Sequence, residues 1–322
     1  MQFDKFARTV ADSAVNHQHQ LRQAAKGMAD DVAIMAKATN QTFPFVTYPD
    51  YELRAGNARK QGRVELLNVA NLVTSENYDA YVNYTTVMHE QVNEEARFHN
   101  PVVNASFEPK GFAPYISGGG FKPDVPRDVY FPLWTVSPPM VNYQLINWNV
   151  AFLPDFEALA KAMMHLKNET VFTRVRPYAG IDKEQHKKLH IEEQDPDEFP
   201  HSFFWHPIHE EPGDEDSPIV GSISAAMGWD ASMQGLLPKG VDGLHCILKS
   251  SFNQTYSYEI NGPNTFFIGE GDLHEPKYDD LVRVVSLSPY THPEFPTTEG
   301  HCRYELVRTF FLEDISPKCT VF

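Results

Sequence analysis

The start of the chain constrains its fold more than any other stretch. Residues 3–38 contain no proline and a single glycine, Gly27, and are rich in Ala, Gln, Lys and Met, so they are predicted to form one uninterrupted helix. Ala7, Ala14, Leu21, Met28 and Met35 recur every seven residues, with Val10, Ala24 and Val32 between them. This is a narrow apolar seam suited to packing against another helix. At about 1.5 Å per residue the element would span about 55 Å, well beyond an ordinary globular helix. Such a helix either lies on its own domain or serves as a stalk that passes a signal along its axis or pairs with a twin. The small residues at 7 and 14 make the seam weak, and both readings stay open.

The rest of the chain supplies a substantial core. Hydrophobic residues make up 42% of the 322 and aromatics 12%, which excludes a chain disordered throughout. Length alone allows one large domain or two of about 150 residues. There are 27 basic and 43 acidic residues, a formal net charge of -16. That balance repels phosphate backbones and anionic lipid, arguing against a nucleic-acid or membrane-surface role. No run approaches the roughly 18 consecutive apolar residues of a membrane helix, and no apolar core follows the charged start as a signal peptide requires. The β-prone end, Phe310 to Phe322, has no polar tail, and the chain is expected to be a piece of a longer protein.

Cysteine and asparagine usage point to the secretory route. Cys246, Cys302 and Cys319 form no CxxC pair, which removes zinc ribbons and thioredoxin chemistry. Sequons stand at Asn40, Asn83, Asn104, Asn168 and Asn253, none blocked by proline. In an oxidising compartment either Cys302–Cys319 or Cys246–Cys302 would form a disulfide, leaving one thiol over.

Beyond the first helix, Phe43 to Thr47 reads as extended, and a second helix is predicted from about Glu76 to Phe98, capped by Thr74 or Ser75. Its apolar positions are Tyr78, Tyr81, Val82, Met88 and Val92. A Gly/Pro-rich loop runs from Gly111 to Pro126, without the spacing of a phosphate cradle. Tyr130 to Val136 and Val171 to Val175 read as strands, and Leu153 to Lys167 as an amphipathic helix. Ten carboxylates between Glu192 and Asp216 mark a linker or surface excursion. After it come strands at Ile219–Met227, Leu244–Leu248, Thr255–Ile260, Thr265–Ile268 and Tyr304–Leu312, with a short helix at Trp229–Leu237. One helix set into a meander of antiparallel strands is a PAS-like order.

Three constellations bear on chemistry. His206, His209 and Glu210, near His201 and Glu211, carry metal-ligand side chains, but Pro207 and Pro212 bracket them and no zinc-protease spacing is present. Gly269 to His274 fits a turn better than a calcium loop, with Asp272 bonding its own backbone. The aromatic and amide residues from 112 to 149 supply an apolar cleft with a few amides, as a small-molecule pocket requires. Phe112, Tyr115, Trp134, Asn142 and Tyr143 are the candidate ligand residues, with Trp134 as the foremost pocket wall. No activated nucleophile is apparent, and the carboxylates sit in exposed runs unsuited to general-acid tuning.

In order along the chain, these segments resemble the extracellular sensor region of diatom-type receptor guanylate cyclases, which is related to the CHASE sensory domains. The resemblance rests on Thr42-Phe43-Pro44-Phe45-Val46-Thr47 after a long helix, Leu133-Trp134-Thr135-Val136-Ser137-Pro138-Pro139 and Ser217-Pro218-Ile219-Val220. It continues through Trp229 to Gly243, Tyr256 to Gly262 and Gly269 to His274, covering essentially the whole chain. It implies an ectodomain between two transmembrane helices, with a cyclase on the cytoplasmic side. Phe252 stands where the family pattern leads one to expect a cysteine.

The expected fold is α+β: a stalk helix over 1–40, a membrane-distal PAS-like module over 41–200 that binds ligand, and a membrane-proximal PAS-like module over 201–322. The expected function is non-catalytic sensing of a small molecule on the extracellular face of a membrane, without a cofactor and with the stalk as a homodimer contact. The alternative is a secreted metal-dependent hydrolase using His206, His209 and Glu210.

Overall fold

A computed structural model describes residues 2–101, 115–116, 122–123, 126–139, 146–152, 154–177, 200–250, 253–274, 276, 285–286 and 304–311. The fold is mixed α+β with antiparallel sheets. It divides into two compact units, neither of them one stretch of chain. The first takes Met1–Gln20, Arg174–Ser202 and Gly228–Phe322, and the second Leu21–Thr173 and Phe203–Met227. The boundary expected near residue 200 falls at the head of a strand, which is why the division by sequence differs.

Helix α1, Gln2–Ala38, forms as its composition predicts. Every seam residue is buried by the chain itself: Ala7, Val10, Ala14, Leu21, Ala24, Met28, Val32 and Met35. Ala25, Ala29, Ala33 and Ala36 widen the seam into the broad stripe of a helix lying on its own protein. The seam is therefore occupied, and a twin helix would have to use another face. The helix ends where Asn40 turns left-handed at φ 54° and the Thr39 hydroxyl donates back to Met35 O at 2.8 Å.

The second unit is built on a sheet with strand order β6-β1-β10-β9-β7. These strands are β1 (Leu66–Asn71), β6 (Leu133–Ser137), β7 (Val171–Phe172), β9 (Pro200–His209) and β10 (Ile219–Gly228). Between β1 and β6 the described residues hold four short strands, β2 (Val73–Thr74), β3 (Tyr115–Ile116), β4 (Lys122–Pro123) and β5 (Val129–Tyr130), of which β5 pairs β2. Every residue of β1 is buried, as suits a strand with neighbours on both edges. It meets β10 from Leu66↔Ala226 to Asn71↔Gly221, and a Cβ on Gly221 would lie 2.7 Å from Ala70 O, so only glycine admits this approach.

Strand β9 corrects the reading of 200–209 as linker. Phe204, Trp205 and Ile208 are fully buried, and among the described residues the exposed acidic stretch is the turn after His209, with 192–198 outside them. Burial of this apolar run outweighs the carboxylates flanking it.

Among the described residues, three further α-helices belong to this unit. α2 (Tyr51–Gly62), absent from the sequence reading, buries a face of Tyr51, Ala55, Ala58 and Gly62. α3 (Tyr78–His99) follows the predicted span and begins at Asn77, whose side chain accepts from the Thr74 N–H at 2.9 Å. α4 (Pro154–Leu166) packs Phe156, Leu159, Ala160, Ala162 and Met163 with Phe131, Leu133, Val171 and Trp205 into one apolar core.

The first unit holds a sheet of order β13-β12-β11-β15-β14, from β11 (Leu244–Ser250), β12 (Thr255–Asn261), β13 (Asn264–Glu270), β14 (Val285–Ser286) and β15 (Tyr304–Phe311). The meander β11–β12–β13 matches the sequence reading, with Gly262 at φ 57° in its second turn. β8 (Arg176–Pro177) pairs the first residues of β9. The helix predicted over Trp229–Leu237 is a single 3-10 turn, Asp230–Ser232, pinned by Trp229 Nε1 donating to Ser202 Oγ at 2.9 Å.

Candidate functional site

A small cavity of about 20 Å³ opens in the second unit between α2, α3 and β6, with room for one or two waters. Its polar lining comes from Thr47, Tyr48, Tyr51, Glu52, Glu95, His99 and Thr135, and its apolar lining from Val92, Ala96, Val136 and Pro139. The helical repeat of α3 places Val92, Glu95, Ala96 and His99 on one face, three or four residues apart. Glu95 and His99 therefore stand where an ordinary amphipathic helix would carry apolar side chains.

Each polar group has a traceable state. The Tyr51 N–H donates to Glu95 Oε1 at 2.9 Å, tying the start of α2 to α3. Burial pushes the half-buried Glu95 carboxyl above its usual range, and nearby Asp50 adds to the rise. The Tyr51 N–H bond, His99 and a backbone bond at Asp50 oppose it. His99 Nε2 is buried and, among the described residues, has no hydrogen-bond partner. Both tyrosine hydroxyls are spent away from the cavity, Tyr51 on Leu67 O and Tyr48 on Asn71 Oδ1, each at 3.1 Å. Burial raises both phenol pKa values, so both rings stay neutral.

Glu52 is fully committed. Its Oε1 accepts from Arg59 Nη2 at 2.8 Å and its Oε2 from Ser137 Oγ at 2.6 Å, while Arg59 Nε donates to the same Ser137 Oγ at 2.8 Å. This closed ring of three side chains joins α2 to the end of β6. The next loop is joined to α3 by Asn100 Nδ2, which donates to Pro139 O at 2.8 Å.

The foremost candidate from the sequence, Trp134, is not in this wall. It is fully buried, packs on Tyr84 at 5.9 Å between ring centroids, and serves the core. Its strand neighbours Thr135 and Val136 reach the cavity instead. Tyr115 lies on β3, and Phe112, Asn142 and Tyr143 fall outside the described residues. The amides Asn147 and Asn149, read as pocket groups, are buried in structural bonds to Thr85 Oγ1 and from the Phe131 N–H.

His206, His209 and Glu210 do not assemble, and no group of three or more metal-ligand side chains occurs among the described residues. His206 is buried with Nδ1 3.0 Å from Thr170 Oγ1. Burial, then the charges of Lys26 and His209, lower its pKa to about 3, keeping it neutral. Both ring nitrogens of His209 sit against carbonyl oxygens, Nδ1 on Ser217 at 2.9 Å and Nε2 on Lys167 at 3.0 Å. Glu210 is exposed at the turn beyond them.

The remaining candidates divide simply. Asn40, Asn83, Asn168 and Asn253 are all exposed, and Asn104 lies outside the described residues. Cys246 is a buried free thiol whose pKa burial raises, while Cys302 and Cys319 lie outside the described residues. Asp272 contacts both the backbone and ring of His274, the turn role read from the sequence.

Tyr48, Tyr51, Glu52, Glu95 and His99 escaped the sequence reading. One signal was available: extending the stripe Tyr78, Tyr81, Val92 by helical steps lands on Glu95 and His99, two polar side chains at inward positions. No helix among the described residues is long and apolar enough to cross a membrane. Neither a protein-family model nor a curated protein matches the chain.

Proposed function

We propose that this chain is the ligand-sensing region of an extracellular receptor, of the receptor guanylate cyclase kind, with PAS-like modules and no catalysis of its own. The carrying observation is the cavity wall of α3, where Glu95 is half buried and His99 Nε2 is buried with no hydrogen-bond partner among the described residues. Groups left in that state stabilise the free protein little and are ready to bind a small molecule.

The same geometry supplies a route out of the cavity. Helix α2 carries Tyr51 and Glu52 into the lining and also contacts α1. Arg54 Nη1 reaches both carboxylate oxygens of Asp31, at 2.8 and 2.9 Å. A Cβ at Gly62 would stand 3.4 Å from Ala24 Cβ, so α2 approaches α1 closely there. A ligand that draws α2 toward α3 acts on α1 through these contacts, provided it prefers one arrangement over the other. The exposed sequons Asn40, Asn83, Asn168 and Asn253 agree with an extracellular setting.

A thermal-shift screen of small metabolites against wild type and Val92→Phe tests this reading. A binder should raise the wild-type melting temperature by several degrees and leave Val92→Phe, with its cavity filled, unshifted. A shift that survives in Val92→Phe, or a screen without a binder, overturns it.

A further inference from the structure

Taking the cavity as the binding site, we propose that its ligand is a small primary amine, bound as the ammonium ion between Glu95 and His99. Among the described residues the lining contains two carboxylates and no lysine or arginine. One carboxylate, Glu52, is neutralised by Arg59 and has both oxygens bonded. Glu95 is the charge that no lysine or arginine of the lining offsets: its Oε1 accepts from the Tyr51 N–H, and its carboxyl also bonds the backbone at Asp50. An anion placed here would meet that charge unscreened, and a neutral ligand would leave it unpaired.

An ammonium group answers each remaining feature. It brings three donors and no acceptor, matching the Glu95 carboxylate, His99 Nε2 as an acceptor, and the Thr135 hydroxyl. The rings of Tyr48 and Tyr51, with their hydroxyls bonded elsewhere, offer apolar surface and π density beside it. The volume, about 20 Å³, takes a head group and no more. The rest of the ligand must project outward, and beside the lining residue His99 stands Phe98, edge-on to its ring at 5.0 Å and 81% exposed. An exposed aromatic there is a seat for an apolar tail, favouring alkyl or arylalkyl amines.

The experiment is a calorimetric titration of the whole chain with matched probes: primary amines from propylamine to 2-phenylethylamine, the corresponding alcohols, and the corresponding carboxylates. The amines alone should bind, and more tightly with the aryl tail. Glu95→Gln keeps the acceptor for the Tyr51 N–H while removing the charge, and should weaken amine binding by about 30-fold or more. His99→Phe should weaken it by about tenfold. Alcohols or carboxylates that bind as well as the amines, and are blocked by Val92→Phe, would overturn the ammonium assignment and leave the cavity as the site. Zinc bound in a Glu95- and His99-dependent manner would overturn it in favour of a metal. Failure of every probe, or amine binding indifferent to Val92→Phe, would overturn both the assignment and the cavity reading.

Discussion

Within the second unit, α4 and α3 each cover part of the protein, and they do so with opposite chemistry. The inward positions of α4 are Phe156, Leu159, Ala160, Ala162 and Met163, closed against Trp205 and Phe131. The inward positions of α3 begin comparably, with Tyr81 buried, then pass through Thr85 and Val92 to Glu95 and His99. An apolar wall gains stability from each methylene it removes from water, about 0.8 kcal/mol apiece. A wall carrying a half-buried carboxylate and an imidazole nitrogen without a partner among the described residues forgoes that gain. The α4 side is organised for cohesion, the α3 side for holding polar groups next to a cavity.

The largest expected effect tests the cohesive side. Trp205 is fully buried, 5.2 Å from the Phe131 ring centroid and 6.2 Å from that of Phe156. Trp205→Ala should cost about 4 kcal/mol in urea unfolding. A loss below about 1 kcal/mol would mean that this core collapses around the gap and is no tighter than the α3 side.

Strand β9 also carries the next effect, through pH. His206, 7% exposed, has its pKa lowered from 6.5 to about 3 by burial first and by the charges of Lys26 and His209 after it. Between those two values the unfolded chain binds a proton that the folded protein refuses. Stability is therefore intact above pH 6.5 and declines as pH falls toward 3, on the order of 3 kcal/mol lost by pH 4. His206→Asn should flatten that part of the profile. An unchanged acid slope in the variant would assign the loss to other groups.

Differences in how residues act explain which parts of the fold were legible. α1 and the β11–β12–β13 meander were readable because periodicity, turn residues and burial agree along each segment. β9 was not, since the carboxylates on either side of Phe203-Phe204-Trp205 dominate any window of composition, while tertiary burial decides the structure. α2 was missed because its buried face is two alanines, a glycine and one tyrosine, too small to register as an apolar stripe. Trp134 drew attention as a large aromatic beside glycines, yet size favours full burial. The cavity instead uses Thr135, its less conspicuous neighbour. Glu95 and His99 become visible only once α3 is known to turn that face inward.

The ring of Glu52, Arg59 and Ser137 fixes α2, which lines the cavity opposite α3, to the end of β6. Its ion pair is mostly buried, so removing the hydroxyl that bridges it leaves Glu52 Oε2 and Arg59 Nε each short of a partner. Ser137→Ala should cost about 1–2 kcal/mol in unfolding experiments and weaken ligand binding, because α2 is then less firmly placed. Full retention of both would show that the ring is replaced by water and positions nothing.

Glu95→Gln should produce the smallest change in stability, and for that reason it separates the two walls most sharply. Burial raises the Glu95 carboxyl pKa in the folded state, so the charged form is the disfavoured one there. The sign follows: a carboxyl with a raised folded pKa favours the fold below its unfolded value and loses that contribution as pH rises through the folded value. Glutamine keeps the acceptor for the Tyr51 N–H and carries no charge to desolvate. The variant should therefore match wild type at pH 4 and equal or slightly exceed it at pH 7, within about 0.5 kcal/mol because the group is only half buried. Melting curves at the two pH values measure this directly. A loss of 1 kcal/mol or more at pH 7 would show that the Glu95 charge is held for stability by the Tyr51 N–H. The α3 wall would then be cohesive in the same sense as α4, by different bonds. A neutral result would leave a carboxylate that the folded protein does not need for itself.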